Sequence, residues 1–253
     1  MSNTQTCRLC LQEKRLIKAH IIPEGFFRLL RSGSVVPELH GNSPGSSPKR
    51  MPVGAYDSTI LCGECDRQIA PWDDYGQQVL LQRFEEATPI THQARTVAWS
   101  LEEVNYAKLK LFFISLLWRA SISSHNFYKR IAVGPFEKRL REMVLESESG
   151  DSQEFAVILA RFEDVSMTAM LDPHPEKFDH INFCRFYLSG FVTYIKVDKR
   201  PVPELLSELR LQVGKPLTIL TRSFHESPDG HLMRKIAESA LAFRERRKGK
   251  IPG

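Results

Sequence analysis

The sequence lacks any long apolar run, since its longest strongly apolar stretch, residues 111–118, is far short of the roughly 20 residues that cross a bilayer. The N-terminal residues 1–6 are polar and lack the apolar region of a secretory signal. Cysteine is also scarce, with 5 in 253 residues, which excludes a small disulfide scaffold and favours reduced thiols. We therefore expect a cytoplasmic protein that does not associate with membranes.

Neither sign of charge dominates, because 35 Lys and Arg residues stand against 30 Asp and Glu residues and give a net charge of +5. The hydrophobic fraction of 42% is enough to build a core, which argues against wholesale disorder. This modest positive charge is compatible with a polyanionic partner such as DNA but does not identify one. The length suits a small module joined to a larger domain.

The cysteines that are present are mostly arranged in two pairs. Cys7 and Cys10 are separated by two residues, and so are Cys62 and Cys65, whereas Cys184 stands alone. Each pair brings two thiolates onto one tight turn, and two pairs together can form the tetrahedral sulfur shell that zinc prefers. The spacing predicts one structural zinc ion, and redox-active or incidental thiols are the alternative.

Polar residues recur at fixed distances from these cysteines. A His-Ile-Ile-Pro element occupies residues 20–23, and Asp57 lies five residues before Cys62. Asp66 follows the second pair directly, and Asp73 lies two helical turns further along the same predicted helix face. This arrangement resembles zinc-containing HNH nucleases of the ββα-metal, treble-clef type, over about the first 80 residues.

The resemblance implies a divalent-metal-dependent HNH-type endonuclease that acts on DNA, with His20 as the general base that takes a proton from water. Asp57 falls where the family has its central Asn, which holds the loop and the histidine in register. Asp66 and Asp73 are then the ligands of a catalytic Mg²⁺ or another divalent ion, which neutralises the scissile phosphate. The family usually has Asp or Glu directly before the histidine, whereas this chain has Ala19.

Two further functions stay open beside the nuclease. Ala19 favours a catalytically degenerate zinc module that binds nucleic acid or a protein partner, including a second copy of the chain, without cutting. In that case His20 is a packed histidine, Asp57 is a turn or capping residue, and Asp73 and Asp74, which are otherwise candidate metal ligands, lie on a solvated face. Alternatively the zinc is purely structural and function lies in the C-terminal part. Defence of bacteria against foreign DNA is the cellular role that the resemblance suggests for an active enzyme.

The remaining sequence predicts two domains. Residues 1–85 form the zinc module with a mobile Gly-, Ser- and Pro-rich loop at 32–58, and residues 86–253 form an α+β domain of unknown role. A capping box at Ser100 and Glu103 predicts a largely buried helix that ends near residue 123. Arg119 lies late in this apolar helix and must find a partner if it is buried, either in an ion pair or at the site.

The C-terminal part contains further periodic segments. Pro135 is suited to the first turn of a second helix. Strands are predicted at 154–162, 167–171, 182–188, 191–197 and 216–221, with Ser189 and Gly190 as a hairpin turn. An amphipathic helix at about 229–248 ends in basic residues that suit a phosphate contact or the helix dipole. The predicted fold class is α+β, with an N-terminal zinc treble clef followed by helices packed with a mostly antiparallel sheet.

Overall fold

A computed structural model describes residues 4–28, 38–39, 49–50, 54–163 and 171–224, together with 227–228, 230–232, 235 and 238. Most of the predicted loop at 32–58, nearly all of the predicted strand at 167–171 and the basic end of the C-terminal helix lie outside these residues. Within the described part of the chain, no helix is both long enough and apolar enough to cross a bilayer.

The N-terminal part consists of short strands and two helices. In chain order they are β1 (Gln5–Thr6), β2 (Glu13–Lys14), β3 (Ala19–His20), α1 (Glu24–Arg28), β4 (Glu38–Leu39), β5 (Lys49–Arg50), β6 (Tyr56–Asp57) and α2 (Gly63–Gln77). Three antiparallel ribbons result, because β1 pairs with β2, β3 with β6 and β4 with β5. The pairing of β3 with β6 joins segments that are far apart in sequence and positions them just before α2.

The C-terminal part is built on one seven-stranded sheet. Its strands are β7 (Thr88–His92), β8 (Arg95–Leu101), β9 (Val157–Phe162), β10 (His174–Phe178), β11 (Ile181–Leu188), β12 (Phe191–Lys196) and β13 (Leu217–Arg222). They lie in the order β10-β11-β12-β9-β13-β8-β7, and only the β13–β9 pair is parallel. The helices of this part are α3 (Tyr106–Ile122), α4 (Glu137–Glu146) and α5 (Glu204–Ser207). A mixed fold with a mostly antiparallel sheet is thereby confirmed.

The buried helix predicted from residue 100 exists, but its predicted start is wrong. Ser100 lies in β8, which pairs at this residue with β13 on one side and β7 on the other. Glu103 has a positive φ of 53°, which is incompatible with a helix. The helix begins instead after Asn105, whose side-chain oxygen accepts a hydrogen bond from the Lys108 N–H at 3.0 Å. Strand pairing therefore overrode the local capping signal.

The hairpin turn at residues 189–190 is confirmed. Ser189 and Gly190 have φ values of 50° and 89°, the two successive positive values that a type I′ turn requires. Three strands of this sheet went unpredicted, β7, β8 and β10. All five residues of β7 are exposed and Pro89 lies among them, so the strand shows neither alternation nor an apolar face.

The main core lies between the helices and one face of the sheet. Helix α2 packs against α3, and Gly76 permits the close approach, because a Cβ there would lie 2.5 Å from the ring of Phe112. One cluster of buried residues extends from Cys7 and Ile21 in the N-terminal part to Leu159 in the sheet. The predicted division at residue 85 stays a prediction, although apolar side chains from both sides of it share this cluster.

Candidate metal centre and the region around His20

The two cysteine pairs converge in three dimensions. Cys7 and Cys10 lie on the turn between β1 and β2, while Cys62 directly precedes α2 and Cys65 lies in its first turn. Their four sulfur atoms all lie within 4.8 Å of one another. Three of the side chains are buried, only Cys10 is half-buried, and all four thiols are free.

Backbone hydrogen bonds hold the two pairs in register. The Cys62 N–H donates to the Cys7 sulfur at 3.4 Å and so connects one pair directly with the other. The Arg8 N–H donates to the Ile60 carbonyl at 2.9 Å, and the Ile17 N–H donates to the Leu61 carbonyl at 3.0 Å. Main-chain N–H groups therefore join the segments that carry the two cysteine pairs.

The chemistry of this cluster fits a zinc ion. Burial raises the pKa of the Cys65 thiol, and hydrogen bonds with the other three sulfurs raise it further. Four thiolates this close repel one another unless a cation lies among them, and a bound dication supplies that charge. Four sulfur donors within reach of a common centre match the coordination number and ligand type of structural zinc.

His20 lies at the end of β3, beside the ribbon partner Tyr56. Its ring and the Tyr56 ring meet edge to face with centroids 6.2 Å apart. Its Nε2 atom is buried and has no hydrogen-bond partner among the described residues. A buried polar atom without a partner is costly, so this nitrogen is available for a water molecule, a proton or a ligand.

Asp57 lies opposite Ala19 in the ribbon, and its carboxylate is fully engaged. Oδ1 accepts hydrogen bonds from the Thr59 N–H at 2.9 Å and the Thr59 hydroxyl at 2.6 Å. Oδ2 accepts from the Ser123 hydroxyl and the Ser124 N–H, both at 2.9 Å, and from the Ser124 hydroxyl at 3.1 Å. Asp57 therefore ties β6 to the end of α3, and its two oxygens have little capacity left for a metal ion.

The protonation of Asp57 reflects these contacts. Burial by itself would raise the pKa of its carboxyl group, but the hydrogen bonds from Thr59, Ser124 and Ser123 outweigh burial and bring the pKa below its ordinary value. The group is therefore ionised at neutral pH. Its predicted role in holding the histidine in register stays a prediction.

Asp73 forms a bidentate ion pair with Arg119. Its two oxygens accept hydrogen bonds from Nη1 at 2.8 Å and Nη2 at 2.6 Å. Burial raises the pKa of Asp73 and the Arg119 guanidinium lowers it. Because both oxygens accept from the guanidinium, the carboxylate form is the one that this geometry stabilises. Asp73 in this arrangement is committed to Arg119 rather than open to a metal ion.

Arg119 links this carboxylate to the predicted base. Its side chain is 1% exposed, and its Nη1 also donates to the backbone carbonyl of His20 at 2.7 Å. Its Nε donates to the Ser115 carbonyl at 3.2 Å. The sequence predicted that Arg119 needs a partner if it is buried. In the structure it forms both an ion pair with Asp73 and a hydrogen bond with the His20 backbone.

The other two aspartates of α2 differ in position. Asp66 is half-buried in the first turn, and its carboxylate makes no hydrogen bond or ion pair with the described residues. Asp74 is exposed and lines a separate surface depression with Tyr75 and Lys108. Asp66 and Asp74 are therefore the two aspartates of α2 whose carboxylates have no partner among the described residues, and Asp74 lies in a depression that does not include His20.

Sequence reasoning missed the serines that complete this region. Ser123 and Ser124 follow α3 and reach Asp57 across 66 and 67 residues of sequence. Serines at a helix end are common, and nothing in the local pattern connects them with a distant carboxylate. No protein-family model matches the chain, and neither a curated protein nor a solved structure matches it.

Proposed function

We propose that this chain is a divalent-metal-dependent HNH-type endonuclease that acts on DNA, with His20 as its general base. The observation that carries the proposal is the Nε2 atom of His20, which is buried and without a hydrogen-bond partner among the described residues. A catalytic base needs a ring nitrogen that no structural hydrogen bond occupies, and a neutral imidazole can accept a proton near neutral pH.

The order of elements supports the same proposal. The ribbon formed by β3 and β6 is followed directly by α2, and His20 lies on the first strand of this ribbon. The four clustered cysteines flank the ribbon in sequence, one pair before it and one pair at the start of the helix. This is the succession expected of a ββα-metal unit with an attached structural zinc.

Neighbouring side chains would position the base rather than take part in the reaction. Arg119 donates to the His20 carbonyl and is itself held by Asp73, so the backbone at residue 20 is fixed from the α3 side. Asp57 fixes the partner strand through its bonds to residues 123–124. Both contacts restrict where the imidazole can lie, and such positioning is part of catalytic efficiency.

The catalytic ion would have few protein ligands. Mg²⁺ is commonly held by one or two carboxylates together with substrate phosphates, and Asp66 supplies one. The protein would therefore contribute a single carboxylate, that of Asp66, to this ion. When bound, the ion would polarise the scissile phosphate and stabilise the leaving oxygen. We expect weak metal binding in the absence of DNA, because the substrate must provide part of the coordination shell.

A second function is favoured by the burial of Ala19. Its side chain is completely buried and lies directly opposite Asp57 in the ribbon, on the same face. An acid at this position would meet the buried carboxylate of Asp57 and be repelled by it. The position is therefore closed to the family's usual ligand, as expected for a module that binds nucleic acid or a protein partner without cutting.

The decisive experiment is a nicking assay on supercoiled plasmid with Mg²⁺ or Mn²⁺. His20→Ala should reduce the cleavage rate about 10²–10⁴-fold, the contribution of a general base. His92→Ala is the matched control, because His92 is an exposed histidine in β7. Zinc content and the thermal unfolding midpoint should be the same in both variants and in the wild type.

Two results would contradict the nuclease proposal. Equal cleavage by His20→Ala and wild type would remove His20 from the mechanism. Wild-type protein that binds DNA but cuts neither duplex nor single strands with any divalent ion would favour the non-cutting module instead.

A further inference from the structure

A cavity of about 530 Å³ opens where β9 and β13 end and β8 begins, outside the region around His20. Its main lining residues are Phe84, Arg95, Trp99, Arg161 and Thr221. The volume lies in the range that holds small organic ligands, roughly 300–1,000 Å³. None of the residues assigned above to zinc binding or to the proposed nuclease lines it.

The strand register explains why the cavity lies at this place. One row across the sheet joins Leu159 in β9, Ile219 in β13 and Trp99 in β8, and its first two members are buried in the main core. Two residues further along, the neighbouring row on the same face places Arg161 beside Thr221. The apolar core therefore ends at a row that carries a guanidinium and a hydroxyl group.

Arg161 has aromatic neighbours but no anionic partner. Its guanidinium carbon lies 3.9 Å from the ring centroid of Phe84 and 5.0 Å from that of Phe191. Among the described residues it makes no ion pair and no hydrogen bond, and burial lowers its pKa from the ordinary value. Stacking on a ring occupies a face of the guanidinium and leaves its N–H edge free, and that edge binds carboxylate or phosphate oxygens in pairs.

A comparison with Arg119 shows that the lack of an anionic partner for Arg161 among the described residues is unusual. Arg119 is fully buried, whereas Arg161 is half-buried, and Arg119 forms a bidentate ion pair with Asp73. A half-buried arginine usually has such a partner, because an unpaired charge with reduced hydration is costly. Arg161 therefore has a free site for an external oxyanion.

Other lining groups complete a ligand site. The Thr221 hydroxyl is buried and has no hydrogen-bond partner among the described residues. Trp99 is half-buried and packs edge to face on Phe84, with centroids 5.4 Å apart. Arg95 adds a second, exposed positive charge, against the single acid Glu163. The lining thus combines a net positive charge, a free hydroxyl group and an indole ring.

We propose that this cavity binds a small molecule that joins an oxyanion group to a planar ring. Arg161 and Thr221 would hold the carboxylate or phosphate oxygens, and the ring would lie against Trp99. A nucleotide and an aromatic carboxylate both have this chemistry. The site is independent of the proposed nuclease, because it shares no residue with it.

Isothermal titration calorimetry with three probes tests the proposal. AMP and indole-3-carboxylate represent the two sources of a ringed anion, and inorganic phosphate represents the anion alone. We expect one of the ringed probes to bind with a stoichiometry of one per chain and more tightly than phosphate. The preferred probe identifies the source. Failure of both ringed probes to bind at millimolar concentration would overturn the proposal.

Variants locate the binding in the cavity. Arg161→Met keeps an unbranched side chain on the aromatic rings and removes the charge, and it should weaken binding of the preferred probe about ten- to hundredfold. Arg130→Met, which removes an exposed charge elsewhere, should bind as the wild type does. Unchanged affinity in Arg161→Met would show that Arg161 only covers the core by stacking on Phe84 and Phe191.

A second variant keeps the test valid if Arg161→Met does not fold. Thr221→Val has nearly the same shape and removes the unpartnered hydroxyl, so the unliganded protein should be as stable as wild type or more stable. Its affinity for the probe should nevertheless fall about three- to tenfold, as expected for one lost hydrogen bond. Wild-type affinity in Thr221→Val would contradict a role of this hydroxyl in binding.

Discussion

The cysteine cluster and the region around His20 lie in the same part of the chain, but they differ in whether the predicted ligands have protein partners. In the cluster, all four sulfur atoms of the predicted set lie within 4.8 Å of one another. Around His20, Asp57 is engaged by five hydrogen bonds and Asp73 by a bidentate pair with Arg119. The predicted zinc ligands are brought together. Of the two predicted ligands of the catalytic ion, Asp73 is held by Arg119 of α3, and only Asp66 is without a partner among the described residues.

This difference shows when the spacing of residues in the sequence is sufficient to predict a metal-binding site. Two cysteines separated by two residues are close whatever the rest of the chain does, so only the joining of the two pairs needs tertiary structure. Carboxylates are different, because any buried donor competes with a metal ion for their oxygens. A single arginine on α3 is enough to convert Asp73 from a candidate ligand into half of an ion pair.

Among the variants that test this comparison, those that lose zinc should show the largest loss of stability. Cys62→Ser should abolish the one tightly bound zinc per chain and destabilise the N-terminal part, because zinc-binding free energies of about 10–16 kcal/mol are coupled to folding in small zinc peptides. Metal analysis and urea unfolding measure the effect. Cys184→Ala is the control, because Cys184 is a buried thiol of the sheet outside the cluster; it should keep the zinc and cost about 1 kcal/mol. Absence of zinc from protein purified without chelators would contradict the assignment of the cluster.

The ion pair between Asp73 and Arg119 gives the next largest effect. Arg119→Met leaves the Asp73 carboxylate, which is only 16% exposed, without its partner and should lower the free energy of unfolding by about 3 kcal/mol. The double variant Asp73→Leu with Arg119→Met should be more stable than Arg119→Met alone, since no charge is left unpaired. Both are measured by urea unfolding at neutral pH.

Arg139→Met is the matched control for this pair. Arg139 also binds carboxylates, those of Glu148 and Glu154, but its side chain is 36% exposed. Its loss should cost only about 1 kcal/mol, because surface ion pairs are weak. A cost for Arg119→Met no greater than that for Arg139→Met would mean that Asp73 finds water or another donor, and Asp73 would regain its place as a candidate metal ligand.

Asp57 should show the smallest effect, and it depends on pH. Its folded-state pKa lies below the unfolded value of about 3.9, so its contribution to stability is fully present above that value and is lost as the pH falls through the folded pKa. Asp57→Asn should cost about 1–3 kcal/mol at neutral pH, because an amide nitrogen cannot accept from the Ser124 N–H. Its stability should then fall less steeply with acid than that of the wild type.

Urea unfolding between pH 7 and pH 2 measures this difference. Asp74→Asn removes one negative charge at an exposed position of α2 and serves as the control. Parallel acid profiles for Asp57→Asn and the wild type would show that the five hydrogen bonds do not depend on the charge of Asp57.

Parts of the fold follow from local signals. The turn at Ser189 and Gly190 was predictable because few residue pairs suit two successive positive φ values, and the strands beside it are rich in aromatic and β-branched residues. The strand β7 was not predictable, because its residues are all exposed and only pairing with β8 makes them a strand. Ser100 carries a capping signal that the sheet overrides.

By itself, the sequence determined the paired cysteines, the apolar helix around Phe112 and the need of Arg119 for a partner. These properties depend on residue type and on spacing over a few positions, which no tertiary contact can change. Only the tertiary structure decided that Arg119 pairs with Asp73 while Arg161 is left without an anion among the described residues. The partners of a charged side chain depend on the distances between segments that are far apart in sequence, as in the hydrogen bond from Arg119 to the His20 carbonyl across 99 residues. No local pattern encodes such distances, because the energy of a buried charge depends on everything that packs around it.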